Sequence, residues 1–471
     1  MSGGVFQFVS EVGSLASPIN ETNNKKGALM SHSKILDTAF EVAAAEVRKS
    51  RRRWLMLFLL FIATVINYVD RSNLSVAAPG ISHELGLDPI QMGLLFSAFG
   101  WTYAIFNLPG GYVVDRLGSR LALGGSMLVW SGATLLQCFA STFGGLFGLR
   151  LTVGGTETPA PLASNRIVTT WFPKSERGFA TSGFVVGQYL GPALVTPILF
   201  WVAASFGWRE VFLVTGGAGI LFGLIYLAVY RDPLKDKKIN TAELQYIQSG
   251  GALTEAKTTS KLNLRDLASL LRFRQIWALC IGKFAVMSTQ YFFLTWFPTY
   301  LVKERGMSLL QAGFMTSMPY IAASVGVLLS GLWSDRLLRR TSSLDKARKI
   351  PIITGFVLVS TIVLANFTSN NTLAMAILTF AYFAQGMSST SWAIVAETAP
   401  AEMIGVTSGL INFVGNLSGI VTPIVVGFIV ASTGSFVWAL GFIGICALVG
   451  ALSYTFLLGP IHRLQVKPAA D

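Results

Sequence analysis

Apolar side chains run through this chain in long stretches, broken by short polar turns. A helix needs about 20 such residues to cross a bilayer. Twelve stretches meet that length, near 54–80, 92–113, 121–140, 143–168, 178–204, 211–230, 275–302, 309–333, 350–368, 372–397, 404–432 and 436–458. Strands of about 10 alternating residues, the mark of a closed barrel, are absent, so an all-α bundle is predicted. One long polar interruption, 231–274, divides the spans six and six. Within it "NTAELQYIQ" and "LNLRDLASLLRF" read as short helices on the cytoplasmic face. The expected organisation is a tail (1–50), a six-helix half (51–230), a linker (231–274), a second half (275–459) and a closing tail (460–471). In the first tail, "KILDTAFEVAAAEV" (34–47) reads equally as a helix lying on the inner leaflet or as disorder.

The two halves repeat one another. "GGYVVDRLGSR" (110–120) after the second span is answered by "SGLWSDRLLRR" (330–340) after the eighth. Both carry Gly-x-x-x-Asp-Arg, as Gly111/Asp115/Arg116 and Gly331/Asp335/Arg336. "PKSERGFATSG" (173–183) answers "PAEMIGVTSG" (400–409), and "VGQYLGPALVTPI" (186–198) answers "VGNLSGIVTPI" (414–424). A fixed offset in a fixed order marks an internal duplication. Parallel six-helix repeats with a site between them at mid-membrane are a secondary-transporter architecture.

Composition agrees: 471 residues, 52% hydrophobic and only 13% charged, against about 25% charged in soluble chains. The net charge of +13 raises the question of nucleic acid, but the charge is segregated. With the N-terminus in the cytoplasm, about 29 of the 36 Lys+Arg fall inside and about three outside. The basic balance therefore reports topology, with both termini cytoplasmic, and no nucleic-acid partner is expected. Cys138, Cys280 and Cys446 sit singly, with no disulfide framework or metal spacing. No cleavable signal peptide is expected, since residues 1–47 lack an apolar core of signal length. His32, His83 and His462 lie in tails or near span ends, and no catalytic constellation forms, so an enzyme or sensor is disfavoured and no cofactor or metal is expected.

Charge inside a span costs about 2.5–3.5 kcal/mol or more and so calls for a partner or a task. "WLMLFLLFIATVINYVDRSNLSVAAPGI" (54–81) places Asp70 beside Arg71. Neighbours on a helix point about 100° apart, so one is expected to face the cavity and the other an adjacent helix. The fourth span, "FGGLFGLRLTVGGTETPAPLASNR", adds Arg150 and Glu157, two turns apart on one face. Their rise of about 10 Å is too long for a direct bridge, so each must bind something else. Gly154 and Gly155 with Pro159 and Pro161 predict a broken helix with loosened backbone there. Internal salt bridges across helices are the purely structural alternative.

The 110–120 run matches the loop signature of the major facilitator superfamily. "NYVDRSNLSVA", "MGLLFSAFGWTY", "GGTETPAP", "YFFLTWFPTYL" and "SWAIVAETAP" resemble bacterial sugar-acid transporters of its anion:cation symporter family, of the galactonate, glucarate and hexuronate type. The resemblance runs from about residue 50 to residue 463. It implies organic-anion handling by Arg71 and Arg150, proton coupling by Asp70 and Glu157, and a bacterial inner membrane. Guanidinium forks suit carboxylates, and acids can carry protons. Tyr68, Tyr103, Gln188, Ser389, Trp392 and Asn412 fall in matching stretches and suit a polyhydroxylated chain, although such groups also glue helices together. Lys283 is a departure, standing where those relatives usually resemble an amide. It either snorkels toward the cytoplasm or, facing Arg150, grips a second carboxylate and favours a diacid such as an aldarate. Gly183, Gly187 and Gly191 read as close helix packing, at a surface that slides. Gly111, Asp115, Arg116, Arg120, Asp335, Arg336 and Arg340 read as a cytoplasmic latch, which Glu397 would join. The expected function is proton-coupled import of an organic anion by a monomer in the bilayer. A uniporter or exporter of another organic anion, such as an aromatic carboxylate, is the alternative.

Overall fold

The computed structural model describes residues 50–253, 269–400 and 403–464. The proposed amphipathic segment 34–47 and most of "LNLRDLASLLRF" lie outside them. Twelve membrane-spanning helices form two pseudo-symmetric halves, as the apolar pattern requires. Nine described helices are long and apolar enough to cross a membrane. The fourth and tenth spans fall short because each is divided. The second is continuous with the third in one helix, Pro89–Leu136. That helix turns between its two spans at Gly118, whose φ of +74° is open to glycine without strain. Large apolar side chains such as Phe139, Phe367 and Phe456 are exposed, as a lipid-facing surface requires.

The first span, Arg52–Glu84, carries no side-chain cap of its own. Its opening turn is completed instead by Glu243, from the linker helix Thr241–Ser249. The Glu243 carboxylate accepts from the backbone N–H of Arg52 (3.1 Å) and Arg53 (3.3 Å), from Arg53 Nη1 (2.9 Å) and from Ser50 Oγ. A buried anion at a helix N-terminus satisfies orphan donors and faces the favourable end of the dipole. Arg52 also pairs with Asp236 (2.8 Å), and Arg53 with Glu176 (3.0 Å). Leu253 N–H donates to Thr169 and Arg177 to the Gly251 carbonyl. This part of the linker is thus fastened to the first half.

Span four breaks at Thr158, between Phe143–Glu157 and Pro159–Trp171, because Pro159 has no N–H to continue the ladder. Gly154 does not loosen this region. A Cβ there would stand 2.2 Å from the Phe99 carbonyl oxygen, so the glycine lets span four press against span two. Span seven is interrupted at Trp296, and span ten passes through a 3-10 turn at Ser389–Ser391 before Trp392–Thr398.

Gly183, Gly187 and Gly191 pack against Leu57, Phe61, Thr64 and Val65 of the first span, within one half. They are packing glycines, but not on a surface between halves. The repeat-related Gly415 and Gly419 do the same in the second half, receiving Lys283 and Tyr291 of span seven. The halves meet elsewhere. Gly93 and Gly100 of span two lie on Pro423, Gly427 and Gly419 of span eleven, and Gly313 of span eight lies on Phe200 of span five. Phe96 and Trp296 meet edge to face at 5.2 Å across the same seam. At the opposite end, which carries the termini, no described ion pair or hydrogen bond joins the halves. Asp115 pairs with Arg166 (3.4 Å), and Arg348 with Asp335 (3.8 Å) and Glu397 (3.0 Å), each within its own half. Arg120 donates to the Leu227 carbonyl (3.0 Å) and Arg116 only to the Tyr112 hydroxyl (3.5 Å). A Cβ at Gly111 or Gly331 would meet open space. Of the residues expected to latch, Asp115 and, with Glu397, Asp335 thus pair only within their own halves here.

Candidate functional site

Asp70 and Arg71 diverge as helix geometry demands. Asp70 is fully buried and points into its own half. It accepts from Trp130 Nε1 (3.1 Å) and, at the limit of a hydrogen bond, from Asn73 Nδ2 (3.5 Å), which also donates to Thr215 (3.0 Å). Arg71 points the other way, into a box of rings. Its guanidinium carbon lies 4.9 Å from the Tyr68 centroid, 4.6 Å from Phe99 and 4.8 Å from Tyr103.

Arg71 Nε donates to Glu157 Oε2 at 2.9 Å. Glu157 is fully buried, whereas the Arg71 side chain keeps 8% exposure. No described residue accepts from the two terminal nitrogens of Arg71. They form an open fork on a cation that stays charged at any accessible pH. Tyr291 of span seven packs on Gly419, which also meets Gly100, the neighbour of the Phe99 whose ring Arg71 faces. The fork therefore lies where the halves face each other.

Arg150 is arranged differently from the expectation. Its Nη1 donates to the Asp70 carbonyl (2.9 Å) and Asn73 Oδ1 (3.4 Å), and its Nη2 to the Arg71 carbonyl (3.4 Å). Every described bond of this buried side chain goes to the first span, and its Nε has no partner. In this conformation the described bonds of Arg150 hold the backbone that carries Asp70 and Arg71, and none of them reaches Lys283. One internal salt bridge, Arg71 to Glu157, thus joins spans one and four, Arg150 adds bonds to the first span's backbone and to Asn73, and one fork is left open.

On the other half, Lys283 is buried, its ammonium 4.8 Å from the Trp392 ring centroid. It does not snorkel. Trp392 is 41% exposed, and Ser389 and Asn412 are half-buried. Gln188 is half-buried next to Tyr189.

Four contributors escaped the sequence. Tyr291 packs its ring on Gly419 and extends its hydroxyl to Asn416 Oδ1 (3.4 Å). Tyr189 of the first half lies near Ser389 and Gln385 of the second. Asn416 occupies the place in "VGNLSG" that Gln188 holds in "VGQYLG", so the internal repeat contained the signal. Tyr189 and Gln385 had none, being a tyrosine and an amide in apolar runs.

The family model described as Major Facilitator Superfamily matches residues 60–423. A probable galactarate/D-glucarate transporter of Bacillus subtilis is 42% identical over 431 residues, covering 89% of this chain and 95% of the relative. The corresponding protein of Escherichia coli is 42% identical over 441 residues, covering 91% and 98%. A D-galactonate transporter of Escherichia coli is 43% identical over 429 residues, covering 90% and 100%. Among solved structures, a bacterial homologue of the human lysosomal transporter Spinster, inward-facing and occupied, superposes with TM-score 0.70 at 17% identity, covering 87% of this chain and 97% of that one. A D-xylose–proton symporter gives TM-score 0.65 at 15% identity, covering 85% and 97%. These structures speak for the fold alone.

Proposed function

Because the chain belongs to the major facilitator superfamily, we propose that it imports a sugar acid by proton symport, its two halves rocking about the site around Arg71. The rocking units are residues 51–230 and 275–459, in a monomer in the bacterial inner membrane with both termini cytoplasmic. The named substrates of the relatives, galactarate, glucarate and galactonate, are all carboxylates bearing hydroxyls. The single observation that carries the reading is the Arg71 fork, bound by one edge to a buried acid and otherwise free.

The coupling follows from competition for that guanidinium. With Glu157 ionised the pair is neutral, and a second carboxylate would bring uncompensated charge into a low-dielectric site. When Glu157 takes a proton, its hold on Arg71 weakens and the fork is left needing an anion. A substrate carboxylate then fits bidentately. Tyr68, Tyr103, Tyr291 and Asn416 surround the same point and suit the hydroxyls of the carried chain. Asp70, sealed behind the first span, is the second proton carrier, because Arg150 links its backbone to that of Arg71. The described conformation is read as open toward the cytoplasm, the halves being in contact at the far end. Asp115, Arg116, Arg120, Asp335 and Arg336 exchange partners when that open end closes.

The test is uptake of labelled galactonate and galactarate into proteoliposomes. Accumulation is expected only with an inward proton gradient. Glu157→Gln is expected to abolish accumulation while sparing counterflow exchange. Equal accumulation after the proton gradient has been collapsed, as a uniporter or exporter would give, defeats the proposal.

A further inference from the structure

Of the charged side chains buried at the centres of the spans, four offset one another: Asp70 and Glu157 against Arg71 and Arg150. Lys283 has no such counterpart. It stands nine residues into the helix Arg274–Thr295, about 13 Å along its axis. Among the described residues it makes no ion pair and no hydrogen bond. The contact described for its ammonium is the face of Trp392. An indole face attracts an ammonium but does not neutralise it.

Its placement is built. A Cβ at Gly415 would stand 2.6 Å from the Lys283 Cγ, so the glycine makes room for the stem. Four residues on, Gly419 makes the same room for Tyr291, one of the groups around Arg71. Trp392 opens span ten again after its 3-10 turn, and it is 41% exposed beside the ammonium. A buried, unpaired cation in lipid persists where something anionic completes it.

We infer that Lys283 holds a second anionic group of the cargo, which makes a six-carbon diacid a better substrate than the monoacid of the same length. This rests on the sugar-acid reading, in which Arg71 holds the first carboxylate. Each cation then takes one end of the chain, and the hydroxyls between them meet Tyr291, Asn416 and Ser389. The relatives' names span both classes, so Lys283 is the residue that would decide between them here.

The experiment measures the affinities of the purified full-length protein for galactarate, galactonate and the monomethyl ester of galactarate. The wild type is expected to bind the diacid at least tenfold more tightly than either monoanion. Lys283→Gln is expected to reduce the diacid-to-monoacid ratio at least tenfold, and Lys283→Arg to retain most of it. The ester needs no variant, so the result stands even where Lys283→Gln fails to fold. Ester and diacid binding equally, or a ratio unmoved within twofold by Lys283→Gln, overturns the inference while leaving the sugar-acid reading intact. Binding of none of the three ligands by the wild type defeats the sugar-acid reading itself.

Discussion

Arg71 is held by one hydrogen bond and three rings, and its neighbours decide how it can be used. Tyr291 is informative because its ring and its hydroxyl are separable. Tyr291→Phe keeps the ring on Gly419 and removes the hydroxyl that reaches Asn416. A hydrogen bond of that kind is worth about 0.5–1.5 kcal/mol. The expected result is a several-fold weaker substrate affinity with only a small fall in melting temperature from the lost bond to Asn416, read by titration and a melting curve. Gly419→Ala, which would put a methyl 2.6 Å from the ring, should lower both. Asp70, Arg71, Arg150, Glu157 and Lys283 are legible in the sequence because charge inside an apolar run is rare and costly. Tyr291 is not, since tyrosine is ordinary in such a run and only its contacts distinguish it. The role of Arg150 is hidden for a related reason. The sequence shows that a guanidinium is buried, but not that the carbonyls of Asp70 and Arg71 receive it.

Among elements, the seam of spans two and eleven brings glycines of the two halves against each other's backbone. A Cβ on Gly427 would stand 2.6 Å from the Pro89 carbonyl oxygen, and one on Gly93 the same distance from that of Pro423. Backbone cannot yield as a side-chain tip can, and overpacking costs about 1–3 kcal/mol. Gly427→Ala should therefore open the far end by roughly a factor of five to a hundred in population. Replacing Cys138, Cys280 and Cys446 and placing a cysteine at Met92, buried beside this seam, provides the readout. Faster labelling by an impermeant thiol reagent is expected in the Gly427→Ala background, and an unchanged rate would refute the seam as a gate. The spans themselves are plain from apolar length, and the break in span four from Pro159. Which glycines join the halves is not plain. Spacing alone cannot tell Gly187 and Gly191, packed within one half, from Gly93 and Gly427, packed between two.

At the scale of the whole molecule, the duplicated sequence predicts two similar bundles, and the structure adds how they are strung together. The described beginning of the linker belongs to the first half. From Asp236 to Leu253 it is bonded to the first half through Glu243, Asp236 and the Thr169 carbonyl. The chain can thus be cut in two places with opposite consequences. Two fragments separated after Leu253 and produced together should reassemble and transport, since each half keeps all its own struts. Separation before Asp236 strands Glu243 on the wrong fragment. The polypeptide that starts the protein then begins its first membrane crossing with bare amide hydrogens, with Arg52 lacking Asp236 and with Arg53 left only Glu176. Activity surviving only the later cut would identify Asp236 to Leu253 as part of the architecture of the first half.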